Sequence, residues 1–150
     1  VGVYYYNGGY ILDEVLYRKG MSNQQIATFM NNQIFGIIVA DSAEPKSIDE
    51  LRLYGLSVAP AKKGPGSILQ SINYVQEQSI SVTKSSINLI KEYRSYLWQT
   101  DKDGKIINVP EGGFDHALDA ARYKLSSVLK PKYEQKPIIQ TSGDLAQLWS

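Results

Sequence analysis

A seven-residue apolar run, Ile34–Ala40, constrains the fold more than any other stretch of this sequence. Its length and its β-branched residues are typical of a strand that is buried on both faces. The run ends abruptly in Asp41–Pro45, so an acidic residue follows the carboxyl end of the strand. Open α/β sheets build their sites at such strand ends. The sequence therefore predicts an α/β fold with a candidate functional residue at Asp41, although a turn or a helix cap before Pro45 would explain the same aspartate.

Other strands and helices are predicted on both sides of this run. A β-hairpin is expected over residues 1–17, because Asn7-Gly8 between aromatic and β-branched segments is a strong turn signal. Periodicity predicts helices over residues 22–32, 47–54, 68–75 and 85–99, and strands over residues 56–60 and 79–83. The helix over 47–54 is expected to begin at a capping box formed by Ser47 and Glu50.

The helix over residues 85–99 carries one acidic residue among its apolar positions. Its predicted buried side is formed by Ile87, Leu89, Ile90, Tyr93, Leu97 and Trp98. Glu92 falls among these positions, where it either pairs with a basic neighbour or faces water. The following Asp101–Lys105 is expected to be a turn and not a calcium loop, because the glutamate at the twelfth loop position is missing.

A late stretch, Gly113–Tyr123, concentrates acids and holds the only histidine of the chain. In a helix running to about residue 129, Asp115 and Asp119 are four residues apart and His116 and Asp119 are three apart, so they emerge along one edge. Carboxylates at this spacing repel each other, and a bound cation would reverse that cost. The stretch therefore indicates a metal site, or else only a capped helix with acids near its positive end and an exposed histidine.

Residue counts narrow the chemistry of such a site. The chain has no cysteine and one histidine, which excludes disulfides, cysteine-ligated zinc, thiol catalysis and multi-histidine metal sites. Carboxylate oxygens must then supply most of the ligands, which favours magnesium, manganese or calcium. No Gly-x-Ser-x-Gly elbow accompanies His116, so a serine hydrolase is not indicated. No apolar run of about 18 residues is present, so no transmembrane helix is expected.

A basic, glycine-containing loop, Ala61–Ser67, precedes the helix predicted over residues 68–75. Its Lys62 and Lys63 are candidates for phosphate contacts near a helix start, although solvated loop lysines give the same pattern. The spacing of a Walker motif is absent. The net charge of +1 decides nothing about nucleic acid, because a balanced total can hide a basic face.

Three segments in this order resemble the carboxy-terminal nuclease domain of tailed-phage terminase large subunits. They are the strand end with Asp41–Ile48, the loop Ala61–Ile68 and the helix Asp115–Tyr123. The last segment is similar to the family's His-x-x-Asp-Ala-x-Arg-Tyr signature. Glu92–Trp98, followed by a polar Asp-Gly turn, adds to a likeness that reaches to about Lys130.

The resemblance implies an RNase H-like fold, a mixed β-sheet flanked by α-helices, over residues 1–130, with 131–150 as a C-terminal tail. It implies a metal-dependent endonuclease that cuts concatemeric viral double-stranded DNA with two Mg²⁺ or Mn²⁺ ions, which suits the chemistry of phosphodiester hydrolysis. It also implies a phage or prophage protein in the host-cell cytoplasm, with no membrane contact. The full-length protein would further contain an ATPase domain and work with a small terminase subunit and a portal.

The family pattern can be carried over to individual residues. Asp41 matches the second catalytic acid, Asp119 matches the third, and His116 matches the histidine that accompanies the third acid. Asp115 would either bind the metal or orient the residues that do. The loop lysines Lys62 and Lys63 would contact DNA. Removal of either acid is expected to stabilise the metal-free fold, because the repulsion between carboxylates disappears.

One departure from the family pattern concerns its first catalytic aspartate. That aspartate stands on a strand before the opening hairpin, and this sequence starts after that point, so a piece of a longer protein with an incomplete site is expected. Asp13 or Glu14, at the end of the hairpin, could approach the site without matching the first-acid motif. The alternatives are a catalytically incomplete DNA-binding or portal-docking module, or another RNase H-like nuclease of the resolvase or transposase type.

Overall fold

The structure is a computed structural model that describes residues 1–33, 36–97 and 115–128. Its strands are β1 (Gly2–Tyr6), β2 (Gly9–Asp13), β3 (Ile38–Ala40), β4 (Val58–Pro60) and β5 (Ile80–Val82). Its helices are α1 (Asn23–Asn31), α2 (Pro45–Leu53), α3 (Ser67–Gln76), α4 (Ile87–Leu97) and α5 (His116–Val128). The turn predicted over residues 101–105 and the predicted tail over 131–150 lie outside the described residues.

The opening hairpin is confirmed. β1 and β2 pair antiparallel, with Tyr4 opposite Ile11. Asn7 and Gly8 both adopt positive φ angles, 48° and 80°, which is the twist that a two-residue hairpin turn requires. The second strand ends at Asp13, four residues earlier than predicted, and its outer edge pairs in parallel with β5.

A second sheet is formed by β3 and β4, which pair in parallel with α2 as the crossover between them. The strand predicted over 34–40 is confirmed only for its last three residues, and residues 34 and 35 lie outside the described part. All three residues of β3 are half-buried, and Ile37 before it is 60% exposed. Burial on both faces was therefore wrongly predicted, because β3 is short and pairs with β4 alone among the described strands.

Helix starts follow the local sequence with one exception. Ser22 and Gln25 form a capping box at α1. The Ser22 hydroxyl accepts the backbone N–H of Gln25 at 3.2 Å, and the Gln25 side chain accepts the backbone N–H of Ser22 at 2.9 Å. The box predicted at Ser47 is wrong, because α2 begins two residues earlier, at Pro45. Proline suits the first helical position, where its missing N–H leaves no bond unmade.

Two clusters of buried side chains form the core. One joins the hairpin sheet to α4 and α5, and the other lies between α1, α2 and the second sheet. The first consists of Leu12, Leu89, Ala117, Ala121 and Leu125. The second consists of Ala27, Ile48, Leu51, Leu56 and Val58. Helix α5 packs against both β1 and β3, so it connects the two sheets. No helix in the described part of the chain is long and apolar enough to cross a membrane.

Leu125→Ala tests the role of α5 in the core. Leu125 is fully buried in the cluster that α5 shares with the hairpin sheet, so truncation leaves a cavity. We expect the free energy of unfolding in urea to fall by about 2–5 kcal/mol. Leu53→Ala is the matched control, because Leu53 is 87% exposed and its truncation should change stability by no more than about 0.5 kcal/mol. Equal losses in the two variants would contradict this description of the core.

Candidate metal centre

Asp41 lies directly after β3, as predicted, and its carboxylate is held from two sides. Its Oδ1 accepts the backbone N–H of Ala43 at 2.9 Å and also accepts from the ammonium of Lys63. The pairing of β3 with β4 continues past the strands, since Ala61 N–H donates to the carbonyl of Ala40 at 2.7 Å. The carboxyl ends of two parallel strands meet at one edge of a sheet, and this brings the loop of Lys63 to Asp41.

Asp119 lies in the first turn of α5 and is paired within its own helix. The Arg122 guanidinium donates to Asp119 Oδ1 at 2.7 Å and to Ser71 Oγ, on α3, at 3.0 Å. Only 14% of the Arg122 side chain is exposed, whereas 39% of the Asp119 side chain is. The arginine is therefore a fixed cation, and the carboxylate beside it is still reachable from solvent.

The two aspartates belong to one group of charged side chains. Lys63 Nζ lies 5.4 Å from the centroid of the Tyr123 ring, and the Arg122 guanidinium carbon lies 4.9 Å from the same centroid. The Tyr123 ring therefore lies near both the cation that pairs with Asp41 and the cation that pairs with Asp119. We refer to Asp41, Lys63, Asp119, Arg122 and Tyr123 as the charge cluster. Asp41 and Asp119 are therefore connected through these contacts.

Charge pairing sets the electrostatics of the cluster. The hydrogen bond from Lys63, and then that from the Ala43 N–H, hold the pKa of Asp41 below its usual value, and the charge of Arg122 acts in the same direction. The hydrogen bond to Asp41 correspondingly raises the pKa of Lys63. Each acid of the cluster thus has a cation beside it, so carboxylate repulsion is already offset. The sequence analysis expected removal of either acid to stabilise the metal-free fold, whereas these pairs lead us to expect a loss of stability for Asp119.

The other predicted ligands are arranged differently. Asp115 immediately precedes α5, and its backbone carbonyl accepts the N–H of Asp119 at 2.8 Å, which is the first bond of the helix. His116 is the first residue of α5 and is exposed. Among residues 1–33, 36–97 and 115–128, no group of three or more histidine or acidic side chains is placed to hold a metal ion. The described residues therefore provide two neighbouring acids and no three-ligand site.

Asp13 and Glu14 serve another part of the fold. Asp13 Oδ1 accepts from the hydroxyl of Thr83 at 2.5 Å. The Glu14 carboxylate accepts the backbone N–H of Leu89 at 2.8 Å and the side-chain amide of Asn88 at 2.7 Å, both in the first turn of α4. Glu14 therefore fastens the end of the hairpin to α4, and Asp13 fastens it to the segment between β5 and α4. This occupies the two acids that the sequence offered as possible substitutes for the first catalytic aspartate.

The sequence missed the role of Glu92. Its side chain is buried, with 7% of the residue exposed, and it lies against the start of α5. Oε2 accepts the backbone N–H groups of Ala117 at 2.8 Å and Leu118 at 3.0 Å, and Oε1 accepts the hydroxyl of Tyr17 at 2.9 Å. Neither of the two predicted environments, a basic partner or water, is the one observed.

The buried side of α4 differs accordingly from the prediction. Leu89 is buried as expected, but Ile87 and Tyr93 are 71% and 53% exposed. Ser86, Leu89 and Glu92 face the interior instead, at a spacing of three residues. A signal was available in the sequence, since a glutamate three residues after a buried leucine falls on the same helix face.

The two loop lysines are not equivalent. Lys63 reaches Asp41 and the Tyr123 ring, whereas Lys62 is exposed and makes no hydrogen bond or ion pair with the described residues. The loop itself is shaped by Ser67, whose hydroxyl accepts the N–H of Gly64 at 3.0 Å, and by Gly66, which has a positive φ of 73° before α3.

Comparison with known proteins identifies relatives of the chain. The family model described as a terminase RNase H-like domain matches residues 4–127. The large terminase subunit of Bacillus phage SPP1 is 33% identical over 127 residues, which are 81% of this chain and 30% of that protein. The PBSX phage terminase large subunit of Bacillus subtilis strain 168 is 34% identical over 103 residues, which are 68% of this chain and 23% of that protein.

A solved structure agrees with these matches. The crystal structure of the nuclease domain of the bacteriophage SPP1 large terminase, with bound manganese, superposes with a TM-score of 0.61 at 32% identity. The match covers 72% of this chain and 64% of that chain. The RNase H-like fold predicted from the sequence is therefore confirmed. The chain spans less than a third of the length of the two curated relatives.

The Asp41–Lys63 pair predicts the pH dependence of one carboxylate. Because the pKa of Asp41 is lowered in the folded state, the pair stabilises the fold above the ordinary aspartate pKa of about 3.9. That contribution is lost as the pH falls through the folded-state pKa. Both side chains are nearly half exposed, so water screens the pair and its contribution should not exceed about 1 kcal/mol.

The measurement is a carboxyl-carbon NMR titration of Asp41. Lys63→Met should move the titration midpoint upward, toward the ordinary aspartate value, because the principal hydrogen-bond donor is removed. Lys62→Met serves as the control and should leave the midpoint in place. A midpoint that is insensitive to Lys63→Met would show that the pair does not form in solution.

Asp119→Ala tests the pairing with Arg122. Removal of the carboxylate leaves a largely buried guanidinium without its charged partner, so we expect a loss of about 1–3 kcal/mol in the free energy of unfolding without metal. Asp49→Ala, which breaks the exposed Asp49–Arg52 pair, should cost less than about 1 kcal/mol. A more stable Asp119→Ala variant would support the repulsion argument instead.

Proposed function

The chain belongs to the family of terminase RNase H-like domains, and on that basis we propose that it is the nuclease part of a phage terminase large subunit. It would cut concatemeric double-stranded viral DNA during packaging, with divalent metal ions as cofactors. The observation that carries the proposal is the charge cluster. Two acids from distant parts of the sequence, Asp41 and Asp119, share one solvent-accessible group of charges with Lys63, Arg122 and Tyr123.

The donor chemistry suits Mg²⁺ or Mn²⁺. Asp41 and Asp119 offer carboxylate oxygens, which these ions prefer, and both side chains are more than a third exposed. The related SPP1 nuclease domain was crystallised with bound manganese. When bound, two such ions would activate a water molecule and neutralise charge on the scissile phosphate. We propose Asp41 and Asp119 as ligands, with Asp115 and His116 acting beside Asp119.

The lysines in and beside the charge cluster are also candidates for contacts with DNA phosphates. Lys63 and Arg122 neutralise the acids, and we propose that a cation that binds Asp41 takes the place of the lysine. The freed ammonium of Lys63 would then be available to a DNA phosphate. Lys62 is the simpler candidate for a phosphate contact, because it is exposed and forms no bond with the described residues. Phosphate contacts of this kind position DNA without reading its sequence.

We further propose that the site is completed by a strand that precedes Val1. Among the described strands, β1 and β3 each lack a partner along one edge, and α5 packs against both of them. A strand there would place the family's first catalytic acid beside Asp41 and Asp119. The family also leads us to propose an ATPase domain, a small terminase subunit and a portal as partners, and action in the host-cell cytoplasm.

A second candidate function is a module that binds DNA or docks to the packaging machinery without cutting. The observation that favours it is the ligand count, since the described residues contain no three-ligand group. The two functions make different predictions for metal binding and cleavage. A nuclease should bind Mn²⁺ and should lose cleavage when an acid is removed, whereas a docking module should neither bind Mn²⁺ nor cut DNA.

Cleavage of supercoiled plasmid in Mn²⁺ tests the proposal. The protein is the chain extended upstream of Val1, so that the proposed strand is included. Asp41→Ala and Asp119→Ala should each reduce cleavage to the level observed without metal, because each removes a proposed ligand. Asp49→Ala, which removes an exposed acid of α2, should cut at the wild-type rate.

Thermal melting provides the companion measurement. Mn²⁺ at about 100 times its dissociation constant should stabilise the extended wild-type protein by about 2.7 kcal/mol. The Asp41→Ala/Asp119→Ala double variant should show no such gain. Full cleavage by both single variants would contradict the two-acid assignment, and a wild-type protein that neither cuts nor gains stability would support the docking module.

A further inference from the structure

The buried carboxylate of Glu92 stands outside the charge cluster and outside the proposed metal ligands. It belongs to α4, yet all three of its described hydrogen bonds go to other elements. Two of them end on the first turn of α5, at Ala117 and Leu118. This is the turn that carries His116 and Asp119.

The arrangement compensates the cost of burying a charge. A carboxylate removed from water is expensive unless donors replace the lost hydration. Here two backbone N–H groups and the hydroxyl of Tyr17 do so, and the positive end of the α5 dipole adds to their effect. The same bonds satisfy two N–H groups that would otherwise have no partner within the helix. Glu92 and α5 therefore fix each other's position.

We propose that Glu92 is a positioning residue for the metal centre. By holding the N–H groups of residues 117 and 118, it fixes the first turn of α5 and so the place of His116 and Asp119 relative to Asp41. Glutamine in its place would present an amide group to the same donors and could satisfy fewer of them. This inference rests on the proposed function, because the positioned residues are the proposed metal-binding ones.

The chain offers a matched control in Glu14. Its carboxylate also accepts a backbone N–H at a helix start, that of Leu89 at the beginning of α4, but it makes no described bond to α5. Glu14→Gln therefore removes the same type of helix cap without touching the helix of Asp119. A general loss of stability should appear in both variants, and a loss of positioning only in Glu92→Gln.

The experiment measures Mn²⁺ affinity in the chain extended upstream of Val1, by titration calorimetry at a temperature where circular dichroism shows every variant folded. Glu92→Gln should weaken the affinity by about 10-fold or more, the range typical for lost support of a metal ligand. Glu14→Gln should stay within about 2-fold of wild type, as expected for a site whose ligand support is intact. Tyr17→Phe, which leaves both backbone bonds of Glu92 in place, should have an effect between these two.

Hydrogen exchange provides a readout that does not depend on metal. Peptides covering residues 115–120 should exchange faster in Glu92→Gln than in wild type, while peptides around Leu89 should exchange faster only in Glu14→Gln. Unchanged Mn²⁺ affinity in Glu92→Gln, or equal losses in the two variants, would overturn the inference and leave the proposed function intact. A wild-type protein that binds no Mn²⁺ and cuts no DNA would overturn both.

Discussion

Neutralisation of two carboxylates by two nearby cations is the interaction on which this site depends. Lys63 pairs with Asp41 and Arg122 pairs with Asp119, so each carboxylate has a cation beside it. The Tyr123 ring lies against both cations and keeps them within one group. The fold therefore places a cation beside each acid without any metal. On the proposed function, a metal ion would replace one of these cations, which differs from the relief of repulsion expected from sequence alone.

Local signals in the sequence were sufficient for the elements that carry the acids. The Asn7-Gly8 turn, the helix over residues 22–32 and the late acidic helix all depend on residues close in the chain, and each is observed. The position of Asp41 after a strand also followed from the apolar run before it. Local signals do not predict which cation pairs with each aspartate, because Lys63 reaches Asp41 only through the pairing of β3 with β4.

The unexpected contacts of Glu92, Asp13 and Glu14 share a tertiary cause. Glu92 was expected to meet a basic neighbour or water, and its observed partners include N–H groups of a helix that starts 24 residues later. Asp13 and Glu14 looked available to the site, yet their partners on and before α4 lie some 70 residues away. Two glutamates thus hold two different helix starts: Glu14 accepts an N–H of α4, and Glu92 accepts two N–H groups of α5.

The central claim is that Asp41 and Asp119 contribute to one metal site, completed by a strand upstream of Val1. The most direct test is a crystal structure of the extended chain grown in Mn²⁺, with the ion located by its anomalous scattering. We expect manganese within about 2.0–2.6 Å of carboxylate oxygens from both aspartates, with Lys63 moved away from Asp41. Manganese bound to other residues, with Lys63 still paired to Asp41, would contradict it.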